Sequence, residues 1–330
     1  MSEYQYIYFR AIDEPLSDKS LKYMRTQSTR AQITRRSFEN EYNFGDFHGN
    51  FSEMMRRGYD FHFYYANFGV RNLYFRLPQG FPEDKEARAY LDDESFTFET
   101  EKGGPAGILS IMPFLEPGTL DEIWNLKSKA IRLSRLRAEI IRGDLRPLFL
   151  ARLAICIDDQ HAAEEETVPS VPEGLDNLSP AQVTLARFYG ISRALVTAVA
   201  QTAKRSRKGA PQASIAELQA EAKVISDEIR DKKAVAAARR RSKTLAKMAE
   251  QPEPYLKKAD RLVSERTGDA YEEASTLLAD LREALASTDR AQLPATHARI
   301  LHEQHPTLNH LTAALRRKGF IPKVPNKPRR

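Results

Sequence analysis

Cysteine is almost missing from this chain. Among 330 residues only Cys156 is one, so no internal disulfide can form and no pair of thiols is spaced to hold zinc. It lies in the apolar run Leu153-Ala154-Ile155-Cys156-Ile157 and reads as a small core residue in a reducing compartment. Glycine (15) and proline (18) are too few for collagen-like or low-complexity classes. Long apolar runs are lacking too: none approaches the roughly 20 residues of a membrane helix. The opening Met1-Ser2-Glu3-Tyr4 does not have the basic-then-apolar form of a signal peptide, so the expectation is a cytoplasmic protein without a membrane partner. Catalytic signatures are equally scarce. There is no phosphate-binding glycine loop ending in Lys-Ser/Thr, no Gly-x-Ser-x-Gly and no His-Glu-x-x-His, and the reading leans away from an enzyme. His302 and His305 share a helix face, but Pro306 ends that helix and no third ligand is in view; neither a metal nor a cofactor is expected.

What is present is 41% apolar and 29% charged residues, enough for a sizeable core and long enough for more than one domain. The aromatics are crowded into one region: 22 of 30 fall in the first 100 positions. Period-2 alternation over 3–12, an extended stretch over 31–44, and runs at 60–67 and 70–77 flanking a Phe68-Gly69 turn predict a sheet. Further strands are expected at 95–100 and 106–112 around Gly103-Gly104-Pro105, with short helices opening at Ser17, near 51–57 and at 84–91. From Thr119 the period changes to 3.6, starting with Asp121, Glu122, Ile123 and Trp124. The fold class is therefore α+β, an aromatic-rich N-terminal domain followed by an all-α region. The expected division is an α+β domain (1–117), helices packed on it (118–157), an acidic linker (158–177), a helical hairpin (178–210), a long basic helix (211–251), a small bundle (252–320) and a disordered basic tail (321–330).

Charge is distributed as unevenly as the aromatics. Residues 1–160 carry 22 basic and 24 acidic side chains, residues 161–330 carry 29 and 21, and no acid stands between Asn177 and Ala216. Such local excess points to an anionic partner, DNA or RNA being the commonest inside a cell. The segment Gln182–Val199 has the spacing of a helix-turn-helix: Ala186 where helices cross, Gly190 in the turn, and Leu185, Ile191, Val196 and Val199 underneath. On that reading Ser192, Arg193, Thr197 and Gln201 face the major groove, and Lys204, Arg205, Arg207 and Lys208 reach phosphates. An ordinary helical hairpin whose glycine caps its first helix has the same spacing.

Further on, Ile215, Leu218, Ala222, Ile225 and Ile229 form a heptad seam, but Lys232, Ala236, Arg239 and Lys243 occupy its next positions. The seam gives way to a basic helix carrying Arg239, Arg240, Arg241 and Lys243, suited to a polyanion or simply to solvent. The apolar faces from Tyr271 to Leu315 describe a bundle that could dock a protein partner. One acid-and-histidine group, Asp46 and His48 among permissive glycines with His62 nearby, is the candidate for an enzyme pocket; a hydrogen-bonded turn at Asp46 is the plainer alternative.

The stretches Ser2-Glu3-Tyr4-Gln5-Tyr6, Arg10-Ala11-Ile12-Asp13-Glu14-Pro15-Leu16, Ser28-Thr29-Arg30-Ala31, Gly45-Asp46-Phe47-His48-Gly49 and Ala66-Asn67-Phe68-Gly69 resemble a bacterial family to which no activity is attached. That family has Trp where Phe68 stands here. Tyr271-Glu272-Glu273-Ala274 and Leu278-Ala279-Asp280-Leu281-Arg282 are similar to the helical tail of bacterial SWIM zinc-finger proteins, whose zinc cysteines are absent here. The resemblance implies association with nucleic acid or protein and supplies no catalytic residue; the function expected from the residues is a non-enzymatic, nucleic-acid-associated subunit of a larger assembly.

Overall fold

The computed structural model describes residues 3–43, 45, 47–82, 85–113, 124–158, 170–205 and 213–322. The chain divides into two compact units, Met1–Asp227 and Glu228–Arg330.

The first unit is built on a seven-stranded antiparallel sheet of β1 (Tyr4–Arg10), β2 (Gln32–Ile33), β3 (Ser37–Asn43), β4 (Phe61–Ala66), β5 (Arg71–Leu77), β6 (Phe96–Thr100) and β7 (Gly107–Ile111). Their order is β2-β3-β1-β4-β5-β7-β6. Alternation along β1 sends Tyr6 and Tyr8 to one face and Ile7 and Phe9 to the other, and both sets are buried. Apolar and aromatic residues on both sides of a strand require cover on both faces. On one side Ile7, Phe9, Phe38 and Tyr74 pack with Met24 of α1 (Asp18–Gln27) and with Met54 and Met55 of α2 (Phe51–Arg56). The cap read from sequence at Ser17 is in place, accepting from Ser20 N–H, and α2 is capped by Asn50, which accepts from Glu53 N–H. The predicted β4–β5 turn is closed by Ala66 N–H donating to Val70 O, with Gly69 at φ +107°. Between β5 and β6 lies the single turn α3 (Lys85–Arg88).

The other sheet face, with Tyr6, Phe63, Phe75 and Leu109, shares one buried cluster with α4 (Leu126–Leu133), α5 (Leu136–Ile141), α6 (Arg146–Asp158), α7 (Pro180–Phe188), α8 (Arg193–Arg205) and the beginning of α9 (Ile215–Glu250). A buried arginine ties this layer to the strands. Arg137 of α5 grips both carboxylate oxygens of Asp13 at 2.9 and 2.6 Å and donates to Arg76 O at 2.6 Å. Asp60, 3.6 Å from the same guanidinium, accepts the backbone N–H groups of Ile12 and Asp13. With its charge met and a hydrogen bond from each of its three nitrogens, Arg137 is held in an otherwise apolar layer.

The compact unit does not end in the expected linker at 158–177. Phe188 packs on Phe63 with ring centroids 5.1 Å apart, and Leu175, Ala181, Leu185, Val199, Ile215 and Leu218 all belong to the cluster that covers the sheet. The hairpin therefore completes the first unit. Residues 159–169, with most of the acidic run, lie outside the described residues, as do 114–123, so only the end of the Thr119 helix prediction can be compared: Trp124 is 73% exposed, Asn125 is left-handed at φ 59°, and the helix begins at Leu126.

The second unit holds the remainder of α9 with α10 (Glu253–Ser264), α11 (Gly268–Leu285), α12 (Leu293–Gln304) and α13 (Asn309–Arg317). Leu262, Tyr271, Ala274, Leu278, Leu301, Leu311 and Leu315 form its core, and Met248 of α9 is buried with Leu281 and Leu285. Of the tail expected to be disordered, residues 323–330 lie outside the described residues. Among the described residues no single helix is long and apolar enough to cross a membrane.

Candidate nucleic-acid interface

The helix-turn-helix candidate folds as two helices. The capping box that starts α7 has Ser179 accepting from Gln182 N–H while the Gln182 side chain accepts from Ser179 N–H. Gln182 is fully buried and its amide also donates to Glu139 at 2.9 Å and to Asp144 at 2.8 Å, while Ser179 donates to Glu139 at 2.8 Å. Burial alone would push the Asp144 carboxyl up; the hydrogen bonds and charge of Arg146, with the Gln182 amide, hold it below its ordinary value. At the other end Gly190, at φ +72°, follows the C-cap. Ile191 N–H reaches back to Ala186 O at 2.8 Å and Gly190 N–H to Arg187 O at 3.3 Å, the paired bonds of a Schellman turn. The axes of α7 and α8 turn by 112° across this connection, within the range of a helix-turn-helix. Leu185, Ala186, Ile191, Val196 and Val199 are all buried beneath the pair.

The polar face of α8 is already engaged. Ser192 Oγ accepts Leu195 N–H, and Thr197 Oγ1 donates to Arg193 O at 2.9 Å. Lys204 is 3.0 Å from Asp176, Arg205 is 2.8 Å from Glu221, and Gln201 accepts from Arg205 at 3.3 Å. Arg193 is exposed and unpaired among the described residues; Arg207 and Lys208 lie outside them. Moreover, Arg193, Thr197, Gln201 and Lys204 line one wall of a groove whose other wall is Leu175–Leu178. A recognition helix must stand clear to enter a major groove about 12 Å wide. Here the face that would read bases looks across a groove, and two of the phosphate-directed cations are paired with carboxylates of their own unit.

The basic segment of α9 is different. Residues 228–244 are exposed on every side, a length of helix that buries none of its side chains. Its alanines, lysines and arginines are strong helix formers, which accounts for the conformation. At about 100° per residue, Lys232, Lys233, Arg239, Arg240, Lys243 and Lys247 fall within one sector of about 120°, a stripe roughly 22 Å long. The same geometry puts Met248, Leu245 and Arg241 on the opposite side. That side is the one used within the second unit: Met248 is buried, and Arg241 bridges Asp280 at 3.0 Å and Glu283 at 2.6 Å, which raises its pKa further. Arg241 is thus a packing cation, whereas Arg239, Arg240 and Lys243 are unpaired among the described residues. The register of the stripe escaped a reading based on the heptad seam, although the 3.6 period of the lysines and arginines was there to find it.

Among the described residues, the two histidines of the acid-and-histidine group stand in different surroundings. His62 is buried, stacked at 3.8 Å and 6° on Phe9 and 5.1 Å from Tyr74, with Nδ1 3.4 Å from Tyr8 O. Burial, only partly offset by that backbone contact, pushes its pKa down to about 3, so it is a neutral ring in an aromatic stack. His48 is exposed, and Asp46 lies outside the described residues. His302 Nδ1 meets Thr312 Oγ1 at 3.2 Å, and no cluster of metal-ligating side chains occurs among the described residues. No protein-family model matches the chain, and no curated protein and no solved structure matches it.

Proposed function

We propose that this protein binds nucleic acid by phosphate contacts from the outward stripe of α9, without reading base sequence. The observation that carries the reading is the placement of six lysines and arginines in one sector of a helix whose opposite side supplies Met248 and Arg241 to the second unit. Residues 228–330 hold 22 basic and 13 acidic side chains against 29 and 32 in residues 1–227, so the excess of cations belongs to the unit that bears the stripe. Along the helix Arg239–Lys243 and Lys243–Lys247 are like charges four residues apart, a mild destabilisation that a polyanion relieves. A protein-docking role for the bundle has less behind it, since Ile300 is the one large apolar side chain exposed among the described residues of α10–α13.

The test is anisotropy of labelled duplex DNA and RNA titrated with the full chain at several salt concentrations. Six phosphate contacts give log affinity against log salt a slope of about −5 on B-DNA, at about −0.9 per contact. Replacing Arg239, Arg240 and Lys243 by Gln should bring the slope to about −3, equally for all base sequences. No binding at low salt, or an unchanged slope in the triple variant, would remove the proposal.

A further inference from the structure

The first unit contains an opening that this reading does not use. Between α7, α8 and Leu175–Leu178 lies a groove of about 590 Å³, within the range of sites for small molecules. Its apolar surface includes Leu175, Val183, Ile191 and Val196. Val183 is 36% exposed there, although it projects from a helix whose other apolar side chains are buried. The groove is preformed. Arg146 holds its outer wall by donating to Gly174 O and Asn177 O at 3.3 and 2.9 Å, Leu175 is anchored in the core, and the Asp176–Lys204 pair spans from that wall to α8.

The charges in the lining are unbalanced. Asp176 is matched by Lys204, which leaves Arg187, in the last turn of α7, and Arg193, at the start of α8, both exposed and with no carboxylate against them among the described residues. Two unopposed guanidinium groups on one apolar groove complement a molecule with an apolar body and an anionic head. We propose that the groove binds a small organic carboxylate, its hydrocarbon part against Val183, Ile191 and Val196 and its head between Arg187 and Arg193. A polyphosphate fits less well, because its charge would lie against apolar side chains along most of its length.

Calorimetric titration of the full chain with octanoate and with its neutral amide tests this. Saturable one-to-one binding of octanoate is expected, with the amide weaker by at least about tenfold, the change due to loss of a charge-assisted hydrogen bond. Arg187→Gln and Arg193→Gln should each weaken octanoate by about tenfold and leave the melting temperature unchanged, since both side chains are exposed and unpaired. Binding that persists in R239Q/R240Q/K243Q separates this site from the nucleic-acid stripe. No saturable binding, equal binding of acid and amide, or indifference to both arginine variants overturns the proposal. So does retention of an acidic leucine-bearing peptide, with the same arginine dependence, by a chain that ignores octanoate.

Discussion

Cutting the chain after residue 158 should unfold what remains, whereas cutting after residue 227 should not. The first cut removes α7, α8 and the start of α9. Leu185 and Phe188 alone, each fully buried, contribute about 1.5–3 kcal/mol apiece, and their loss uncovers comparable area on the sheet and on the helices beneath them, for a total of roughly 6–12 kcal/mol. That equals most of the roughly 5–15 kcal/mol by which a domain is stable. The cut also removes the acceptor at Phe188 O for the buried Arg71, 2.6 Å away, and the Gln182 amide from between Glu139 and Asp144. Fragments 1–158 and 1–227 would be compared by near-ultraviolet circular dichroism and thermal melting. The longer should melt cooperatively, and the shorter should show no sharp transition. A 1–158 fragment that melts at the temperature of 1–227 would refute the reasoning, because the hairpin would then be an accessory to a core already complete without it.

Two further outcomes follow from the first unit, both measurable on the 1–227 fragment. His62 is held near pKa 3 when folded and is an ordinary histidine, near 6.5, when unfolded. Its neutral form therefore leaves stability intact above pH 6.5, and stability falls below it at about 1.4 kcal/mol per pH unit until the folded value is reached. Urea unfolding at pH 7.5 and 5.0 should show that loss, and His62→Phe, which keeps a ring between Phe9 and Tyr74, should remove about 2 kcal/mol of it. Gly190→Val puts a β-branched residue at φ +72°, so at about 1–2 kcal/mol the melting temperature should drop by roughly 2–8 °C; an unchanged melt would mean that the turn is not left-handed in solution.

Much of the architecture could be read from residue pattern because the relevant interactions are local. Tyr6, Ile7, Tyr8 and Phe9 alternate between two apolar faces, Ser17 and Ser179 cap the helices they precede, and Gly190 is needed where it stands. The extent of the first unit is not a local property. An acidic stretch looks like a boundary, yet the segment beyond it finishes the core that covers the sheet. A signal for this did exist: α6 runs Pro147–Ile157 with apolar residues on all sides apart from Arg152, and Leu148, Phe149, Leu150, Leu153 and Ala154 are buried around its whole circumference. A helix apolar all round must be covered on its outer side as well, and α7 supplies the cover. For the interface, clusters of lysine and arginine were visible, but composition does not reveal which are paired. Lys204 and Arg205 meet acids 28 and 16 residues away in sequence, and Arg241 meets acids 39 and 42 residues away, while Arg239 and Arg240, beside it, point elsewhere.

The solitary thiol has an experimental use. Cys156 is 1% exposed within the first unit's cluster, and the second unit has none. A disulfide reagent added to the intact native chain consequently has a single target, reachable only when α6 is uncovered. Its labelling rate is then a clock for the opening of the first unit alone, blind to any event in the helical bundle. Followed in increasing denaturant, that clock measures the stability of one half of the molecule without separating it from the other.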